Sequence, residues 1–552
     1  MYILKRMFAL LLVLVFLSTT CISAMAEDFD VSDAAGMQSA FSSSDTKVNI
    51  KVTQNINMSE TTVTAQEGKT YNVSSDNNSS LSNVSVGGSG TVNINTDVKG
   101  TGGNNALNTY DSVTVTVTGT VSSTADGVAA NDNSKVTVNG NIDAVENGVR
   151  ANDDSTVEVS GNIEAGADGV YAGGDSTVKV TDDIKAGMAG VRADDDSTVE
   201  VNGNIDAGGD GVYAVDYSNV TVNGNVTGGS VDPNSTEDGT CGGNGVFAGG
   251  KAAVSISGNV TGGSGSPNPE RFDEPDYCSD GGEGIEAQQT ATVTVGGDVK
   301  GGDGYGTNGI AGRAIYAGSN TSVTVGGNAI GGDVTANPST EGEGSLAGDG
   351  VCMESTATVK VGGNAIGGST NGNQGKGGSG AYLKVVTGKA GSLTVGGQVK
   401  AGNSGVDGER VTDLYTKGYG NLAGDLPAIT MGACGTVGGY GIPYGELTQE
   451  QLDAILAQIK ITGLGKPEGV LVQYDLFWTQ VVGQIRSAEP GSELTVDVGN
   501  RTSIPVYILN AAAQRNITLI IQWNGGPDIV VKNAVEVTGD TILLSELAKL
   551  VK

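Results

Sequence analysis

One short text recurs at a fixed step through the middle of the chain. Residues 155–214 spell STVEVSGNIEAGADGVYAGGDSTVKVTDDIKAGMAGVRADDDSTVEVNGNIDAGGDGVYA, which is nearly one text written three times. Two series of positions keep this step, with the residue number rising by 21 each time, namely Gly119, Gly140, Gly161, Asp182, Gly203 and Gly224, and Gly127, Gly148, Gly169, Gly190 and Gly211. A fixed period of this size predicts a solenoid, in which each repeat packs against its two neighbours.

Apolar and polar residues alternate within each repeat. The apolar members of one unit are Val157, Val159, Ile163, Ala165, Val170 and Ala172. This alternation predicts three short strands with one face inward, separated by turns rich in Gly, Asn and Asp. Coils of this kind must pair in parallel at roughly 4.8 Å. We therefore predict an all-β parallel β-helix in which Val157, Val159 and Val170 point inward while Glu158 and Tyr171 point outward.

Stacked coils turn each position of the repeat into a column along the solenoid axis. One column is Asn141, Asn162, Asp183, Asn204, Asn225, Asn259, Asp298, Asn328 and Asn364, whose side chains we expect to hydrogen-bond up the stack. The outward column of the third strand is Arg150, Tyr171, Arg192, Tyr213, Phe247, Glu286, Tyr316, Cys352 and Tyr382. Two interpretations of this third-strand column are open. It is either a structural ladder of rings and cations or a strip of aromatic faces that suits sugar rings.

The second half of the solenoid carries insertions at one place in the repeat. After Gly224 the first glycine series continues as Gly258, Gly297, Gly327, Gly363 and Gly397, so the residue number rises by 34, 39, 30, 36 and 34 in turn. The extra residues fall between the second and third strands, so they must form a crest on one side. Loops on a rigid scaffold often bind partners, although neutral loop drift would also explain them. We predict a binding site beside the crest at Tyr171, Arg192, Tyr213, Phe247, Tyr316 and Tyr382.

Residues 1–26 have the pattern of a secretory signal peptide. Lys5 and Arg6 precede an apolar run that is too short to span a bilayer, and Ala24 and Ala26 mark the cleavage site. We therefore expect an exported protein that does not span a membrane. In such a setting Cys241 and Cys278, which lie in the first two insertions, are expected to form a disulfide.

Charge and composition exclude several functions. The chain has 30 Lys and Arg residues, 62 Asp and Glu residues and no histidine, which gives a formal net charge of −32. Such an acidic surface repels nucleic acid. The lack of histidine excludes His-based catalysis and His metal sites. We expect no cofactor; Ca²⁺ is the alternative, although the Asp-rich turns at residues 153–154 and 194–196 do not follow the Gly-Gly-x-Gly-x-Asp calcium pattern.

The Thr-Val-x-Val-x-Gly-Asn-Ile coils, the signal peptide and the opening VNIKVTQNINMSETTVTAQEGKTYNVSSD resemble secreted right-handed β-helix repeat proteins of pectin-lyase-like architecture, many of which belong to the surfaces of Gram-positive anaerobes. The resemblance covers roughly residues 30–402 and implies a right-handed parallel β-helix. It implies no single function, because β-helices host lyases, hydrolases, adhesins and spacers. Before the first coil, VSDAAGMQSAF predicts a helix with Ser32 as N-cap that covers the open edge.

The repeat text ends at Gly402. We predict a signal peptide over 1–26, an N-terminal cap and first coils over 27–80, a β-helix over 81–402 with insertions from about 228, a linker region over 403–486 and a small α+β module over 487–552. In the linker, LTQEQLDAILAQIK predicts an amphipathic helix capped by Thr448 and including Ile459. The module resembles one near the C-termini of secreted clostridial-type surface proteins, on the match of Ile504-Pro505, Leu509 and Asn524-Gly525.

Taken together, these features predict an exported cell-surface or extracellular interaction protein, adhesin-like and glycan-binding, that presents stacked loops on a β-helix scaffold. Its expected partners are glycans or surface proteins of host or neighbouring cells. The alternatives are a polysaccharide-active lyase or glycoside hydrolase, and a passive structural spacer. An enzyme is disfavoured because the carboxylate pair Glu158 and Glu200 has Lys179 between its members and no long loop that would enclose a cleft.

Overall fold

Parallel strands pair coil upon coil from residue 27 to residue 471. In the repeat above, strands Thr156–Val159, Ile163–Ala165 and Val170–Ala172 each pair in parallel with the corresponding strand of the next repeat. The predicted all-β parallel β-helix with three short strands per coil is confirmed.

The structure is a computed structural model. Its described residues are 26–59, 61–76, 79–231, 241–266, 280–306, 309–335, 345–372, 375–386, 388, 390–405, 411–418, 426–434, 436–441, 445–446, 459–462, 470–471, 478, 481, 484–485, 487–499, 501–532 and 541–551. The predicted signal peptide lies outside these ranges apart from Ala26, as does Cys278.

The strands form three sides of the solenoid. First strands are Glu27–Val31, Lys47–Val52, Thr70–Ser75, Thr91–Asn95, Thr114–Val117, Lys135–Val138, Thr156–Val159, Thr177–Val180, Thr198–Val201, Asn219–Val222, Ala253–Ile256, Thr292–Val295, Ser322–Val325, Thr358–Val361, Ser392–Lys400, Ala428–Cys434 and Ile459–Ile461. Second strands are Ile56–Asn57, Leu81–Ser82, Val98–Lys99, Val121–Ser123, Ile142–Ala144, Ile163–Ala165, Ile184–Ala186, Ile205–Ala207, Val226–Thr227, Val260–Thr261, Val299–Lys300, Ala329–Ile330 and Ala365–Ile366. Third strands are Thr62–Ala65, Val84–Gly88, Leu107–Thr109, Val128–Ala130, Val149–Ala151, Val170–Ala172, Val191–Ala193, Val212–Ala214, Val246–Ala248, Ile285–Ala287, Ile315–Ala317, Val351–Glu354, Ala381–Val385, Leu414–Gly418, Thr436–Gly441 and Val470–Leu471.

The solenoid interior is one continuous apolar core. Val157, Val159 and Val170 are buried, whereas Glu158 is exposed and Tyr171 is half-buried, so the predicted facing is confirmed. A single cluster of buried side chains runs from residue 31 to residue 437. Each fully buried Val or Ile side chain contributes about 1.5–3 kcal/mol to the stability of the folded state, and this contribution recurs in each coil. The outward side chains therefore contribute little to the core and are available for other roles.

The Asp-rich turns have a structural explanation. At the corner between third and first strands, successive residues such as Asp153 and Asp154 (φ 53° and 60°) or Asp195 and Asp196 (φ 48° and 56°) adopt the left-handed conformation. Asp and Asn tolerate this conformation better than other residues with a side chain. The carboxylates at these corners are therefore accounted for by the turn itself.

The N-terminal helix is present, with a different cap from the one predicted. Helix Ala34–Phe41 buries Met37 and Phe41 against the core. Its N-cap is Asp33, whose carboxylate accepts the Gly36 N–H at 2.7 Å, so the prediction of Ser32 is wrong. The carboxylate of Asp33 is the side chain that reaches the unpaired amides of the first turn.

The solenoid continues beyond the end of the repeat text. Leu414–Gly418 pairs in parallel with Ala381–Val385, and Ala428–Cys434 pairs with Ser392–Lys400. The prediction of a linker from residue 403 is thus wrong over these strands, because backbone pairing needs no repeated side chains. Ile459 lies in a strand that pairs with residues 429–431, not on a helix; the rest of the predicted helix, 447–458, lies outside the described residues.

The C-terminal residues form a small α+β unit with its own apolar core. Strands Glu493–Asp497, Thr518–Gln522 and Ile529–Val531 form a three-stranded sheet, and Gly525 and Gly526 lie in the turn that joins the last two strands. Helix Val506–Gln514 directly follows strand Ser503–Pro505. The sequence analysis missed the antiparallel pair of strands Ser503–Pro505 and Thr541–Leu543 and also helix Leu544–Leu550.

Candidate functional site

Each insertion enters and leaves its coil through a column of glycines. From the second glycine of the column onward, the backbone N–H of each glycine donates a hydrogen bond to the carbonyl oxygen of the glycine before it in the column, at an N···O distance of 2.7–2.9 Å. One of these bonds joins the two ends of each insertion. We name this set the glycine column: Gly209, Gly229, Gly243, Gly263, Gly282, Gly302, Gly312, Gly332, Gly348, Gly368, Gly378 and Gly402. A Cβ atom at any member from Gly229 onward would lie 1.8–2.1 Å from a backbone oxygen, so no other residue fits.

The glycine column shows that the insertions are added to a coil whose length between successive third strands is that of a plain repeat; only the first strand Ser392–Lys400 comes four residues later than this step would place it. From Gly211 to Gly245 the residue number rises by 34 instead of 21. The extra residues are segment 230–242, which lies between the two members of the glycine column, Gly229 and Gly243, that flank the insertion. Removing the corresponding segments restores the step of 21 between successive third strands in all five coils; these segments are 230–242, 264–281, 303–311, 333–347 and 369–377. The insertions are therefore additions to an unchanged coil and do not distort it.

On its outgoing side, the crest is an ordered parallel ladder. Gly304–Tyr305 pairs with Val334–Thr335, and Val334 pairs with Thr370. Their neighbours form a polar column, in which the Asp303 carboxylate accepts the Asp333 N–H at 3.1 Å and the Asp333 carboxylate accepts the Ser369 N–H at 2.7 Å. The bases of the loops thus stack in register with the coils beneath them.

The returning ends of the insertions form a second parallel ladder, which we name the return ladder: Asp280, Ile310, Leu346 and Lys376 with the residue that follows each. Leu346 pairs with Ile310 on one side and with Lys376 on the other. Between the outgoing and return ladders lie small buried side chains, including Ala311, Val334 and Ser345. Together with the glycine column, the two ladders form an ordered layer at the bases of the insertions.

The predicted binding residues do lie in one column, but their ring faces are occupied in its first half. Tyr213 and Phe247 stack with centroids 4.9 Å apart and planes 10° apart, and the Arg192 guanidinium lies 5.3 Å from the Tyr213 centroid. Arg192 and Arg150 also pair with Asp168 and Asp126 of preceding coils, at 3.6 and 2.9 Å. Up to Phe247 the geometry is thus that of a structural ladder, one of the two interpretations that the sequence left open.

In the second half the column lies beside the return ladder. The Arg313 guanidinium and the Lys384 ammonium lie 5.2 and 5.3 Å from the centroid of the Tyr316 ring. Further along, Tyr382 contacts the ring of Tyr415, a column member that the sequence analysis missed, with centroids 5.3 Å apart. The Lys376 ammonium of the return ladder reaches to 5.9 Å from the Tyr415 centroid. The return ladder and the third strands therefore form two sides of one corner.

Two carboxyls at the base of this corner have raised pKa values. Burial raises the pKa of Glu283 to about 7, although its side chain accepts hydrogen bonds from the backbone N–H and the guanidinium of Arg313. Burial likewise raises the pKa of Asp349 to about 6, while the Ser379 N–H donates to its carboxylate at 2.8 Å. At pH 7 Glu283 is therefore protonated in a large fraction of molecules, whereas Asp349 is mostly ionised.

The asparagine column forms the predicted hydrogen bonds along the stack, and the first-strand column contains an ion pair between adjacent coils. The Lys179 ammonium lies 2.9 Å from the Glu200 carboxylate of the next coil. In the asparagine column, the Asn141 side chain accepts the Asn162 N–H at 3.0 Å, and the pattern repeats up the stack. Both columns are engaged in cross-coil contacts that fix the register.

The cysteines divide into bonded and free. Cys241 is disulfide-bonded; its predicted partner Cys278 lies outside the described residues, so the pairing stays a prediction. Cys352 and Cys434 are free and buried. Cys352 lies in the outward column by register but is fully covered between its neighbours Tyr316 and Tyr382. The register of the repeat predicts that the Cys352 side chain points outward, but only the structure shows that neighbouring side chains cover it.

We expect Cys352 and Cys434 to resist alkylation in the native protein. Burial raises the pKa of each thiol from 9.0 to about 12, which lowers the thiolate fraction about 10³-fold. Mass spectrometry after iodoacetamide treatment should find both unmodified until denaturant is added. Native labelling at the rate of a denatured control would contradict the burial of these side chains.

Within the ranges described above, no group of three or more Cys, Asp or Glu side chains is placed to hold a metal ion. Over the same ranges, every helix is too short or too polar to cross a membrane.

Comparison of the chain with protein-family models, with curated proteins and with solved structures gave no match.

Proposed function

We propose that the protein is an exported, adhesin-like interaction protein whose β-helix displays the crest and the adjoining third-strand corner to an extracellular partner. Export is inferred from the signal-peptide pattern of residues 1–26. The observation that carries the proposal is the glycine column, which adds five insertions to one corner of the solenoid without changing the coil itself. A rigid scaffold with variable segments gathered on one side is the arrangement that binding proteins commonly use.

The plain coils have a supporting role in this proposal. Between Gly119 and Gly224 the outward columns are engaged in ion pairs and ring contacts with adjacent coils, such as Lys179 with Glu200 and Arg192 with Tyr213. These contacts favour the spacer function for that half of the solenoid, which would hold the crest away from the N-terminus.

Removal of the insertions tests the proposal. Excision of segments 230–242, 264–281, 303–311, 333–347 and 369–377 restores plain coils. We expect this variant to fold and to lose binding to glycan arrays and to protein-coated or cell surfaces by about tenfold or more. The matched control deletes one plain coil, residues 170–190, which shortens the spacer and leaves the crest intact.

Three outcomes separate the function classes. Loss of binding on excision, with retention in the plain-coil deletion, supports the interaction function. An absence of binding by all three proteins would favour a passive spacer, whereas equal binding by all three would place the binding site outside the insertions. Release of reducing sugar from polysaccharide by the full chain would instead favour the enzyme alternative.

A further inference from the structure

We propose that two copies of the protein form a twofold-symmetric dimer through the outward side of the first and second strands. These strands belong to one sheet, because Ser392–Lys400 pairs with the first strand Thr358–Val361 and with the second strand Ala365–Ile366 of the preceding coil. We name the outward side of this sheet, from residue 135 to residue 400, the sheet face. The sheet face is a different surface from the crest, so the inference does not depend on the proposed function.

The two halves of the sheet face carry net charges of opposite sign. In four plain coils the face has seven Asp or Glu and three Lys side chains, a formal charge of −4, over segments 135–144, 156–165, 177–186 and 198–207. In five later coils it has one Asp and three Lys side chains, a formal charge of +2, over segments 253–261, 292–300, 322–330, 358–366 and 392–400. In a chain with a formal net charge of −32, this polarity matches the first half of one copy to the second half of another.

A twofold axis parallel to the strands brings these halves together. The axis lies between the coil of Val226–Thr227 and the coil of Val260–Thr261. It places each coil of one copy opposite the coil of the partner that is equally far from the axis on its other side. First strands then face first strands and second strands face second strands, so every outward column faces itself in reverse order.

The second-strand column pairs opposite charges in this arrangement. Its successive members, which pair in register, are Asp143, Glu164, Lys185, Asp206, Thr227, Thr261, Lys300, Ile330, Ile366 and Lys400. Asp143 therefore faces Lys400 of the partner subunit, and Asp206 faces Lys300 of the partner subunit. The glutamate and lysine between them in the column, which already lie 3.8 Å apart, face the two isoleucines.

The neighbouring columns fit the same axis. In the first-strand column, Glu158 faces Lys360 of the partner subunit, and the other charged members face threonines. The two aspartates of the asparagine column, Asp183 and Asp298, face asparagines. No two side chains of like charge are therefore opposed across the dimer.

Adjacent registers are less favourable. With the axis moved by half a coil towards the N-terminus, Lys185 faces Lys300 of the partner subunit. With the axis moved by half a coil the other way, Lys179 faces Lys360 of the partner subunit. Since opposed like charges are unfavourable, the charges of the sheet face select one register.

The dimer also provides partners for charges that lack them within the chain. Asp143, Lys360 and Lys400 are exposed, and none has an ion pair over the residues that the structure describes. The area is sufficient as well. Ten coils at about 4.8 Å with about 20 Å of strand in each give about 1,000 Å² on each partner, compared with about 800 Å² in a specific interface.

An exchange of charges tests the register. Sedimentation velocity of the exported protein at physiological ionic strength, where long-range repulsion is screened, should show a dimer. Asp143→Lys or Lys400→Glu alone opposes like charges at two places in the dimer and should weaken it at least about tenfold. The double variant Asp143→Lys with Lys400→Glu exchanges the two charges and should restore the dimer. The matched control, Asp143→Lys with Lys360→Glu, alters positions that do not face each other and should stay weakened.

Two results would overturn the proposal. One is a monomer up to the highest concentration that sedimentation can follow. The other is a dimer that the double exchange variant forms no more tightly than the single variants, or that none of the variants weakens. Unchanged thermal unfolding of each variant, expected because all the altered side chains point outward, shows that a loss of dimer is not a loss of fold.

Discussion

Replacement of Gly312 by alanine should destabilise the second half of the solenoid by more than about 3 kcal/mol. The added Cβ would lie 1.8 Å from the Gly282 carbonyl oxygen and 3.0 Å from the Gly302 nitrogen, all of it backbone that cannot rotate away. Overpacking against flexible side chains costs about 1–3 kcal/mol, and a backbone clash exceeds that range. Relief of the clash requires the Gly312 to Gly302 hydrogen bond and its neighbours in the glycine column to break.

Gly318→Ala is the matched control for this prediction. Gly318 lies in the same coil, directly after strand Ile315–Ala317, but the nearest atom to its added Cβ is the Ala287 carbonyl oxygen at 3.3 Å. Chemical denaturation of both variants gives the difference in stability, and hydrogen exchange of residues 301–316 shows whether the crest opens first. Similar stability of the two variants would show that the glycine column is not a close-packed contact.

The stability of the protein should rise as the pH is lowered from above 7 towards 4.5, with Glu283 as a main cause. Its pKa in the folded chain is about 7, raised from 4.5 by burial, so the folded state binds a proton that the unfolded state releases. The ionised form therefore destabilises the fold above pH 7, and this penalty disappears as the pH falls through that window. The shift corresponds to at most about 3 kcal/mol. Asp349, with a pKa of about 6, acts in the same direction.

Glu283→Gln isolates this contribution. The variant should be more stable than the natural chain above pH 7 and should show a flatter dependence of unfolding free energy on pH, measured by denaturant titration. Glu164→Gln, at a carboxylate 68% exposed and 3.8 Å from Lys185, should change the stability by less than about 1 kcal/mol. An unaltered pH profile in the Glu283→Gln protein would mean that this carboxyl is solvated and not buried.

Several features of the fold could be predicted because the repeat fixes the register. Once Val157 and Val170 are assigned to the interior, the repeat itself places the later members of their columns. The third-strand column from Arg150 to Tyr382 follows in the same way, and the structure pairs its members directly. Side-chain columns could therefore be predicted for residues that are far apart in the chain.

The predictions failed where pairing does not depend on repeated side chains. The solenoid continues past Gly402 because backbone groups pair without glycine or valine at set positions. Ile459 shows an apolar spacing that suits a helix, yet it lies in a strand beside Ile429. Tertiary pairing of an edge strand overrides local periodicity in such segments.

The sequence by itself determined the coil, its three strands, the inward and outward faces and the corner that receives the insertions, since these depend on the alternation within each strand and on the recurrence of the whole repeat. Only the tertiary structure decided that Gly302, Gly312 and Gly332 form one hydrogen-bonded column, although each insertion opens with a Gly-Gly pair that is a sequence signal for it. It also decided which ring faces are covered and which carboxyls are buried. The glycine pairing, the covered ring faces and the buried carboxyls all depend on where the ends of the inserted segments meet in space. Because these segments differ in length, the periodicity of the sequence does not encode where they meet.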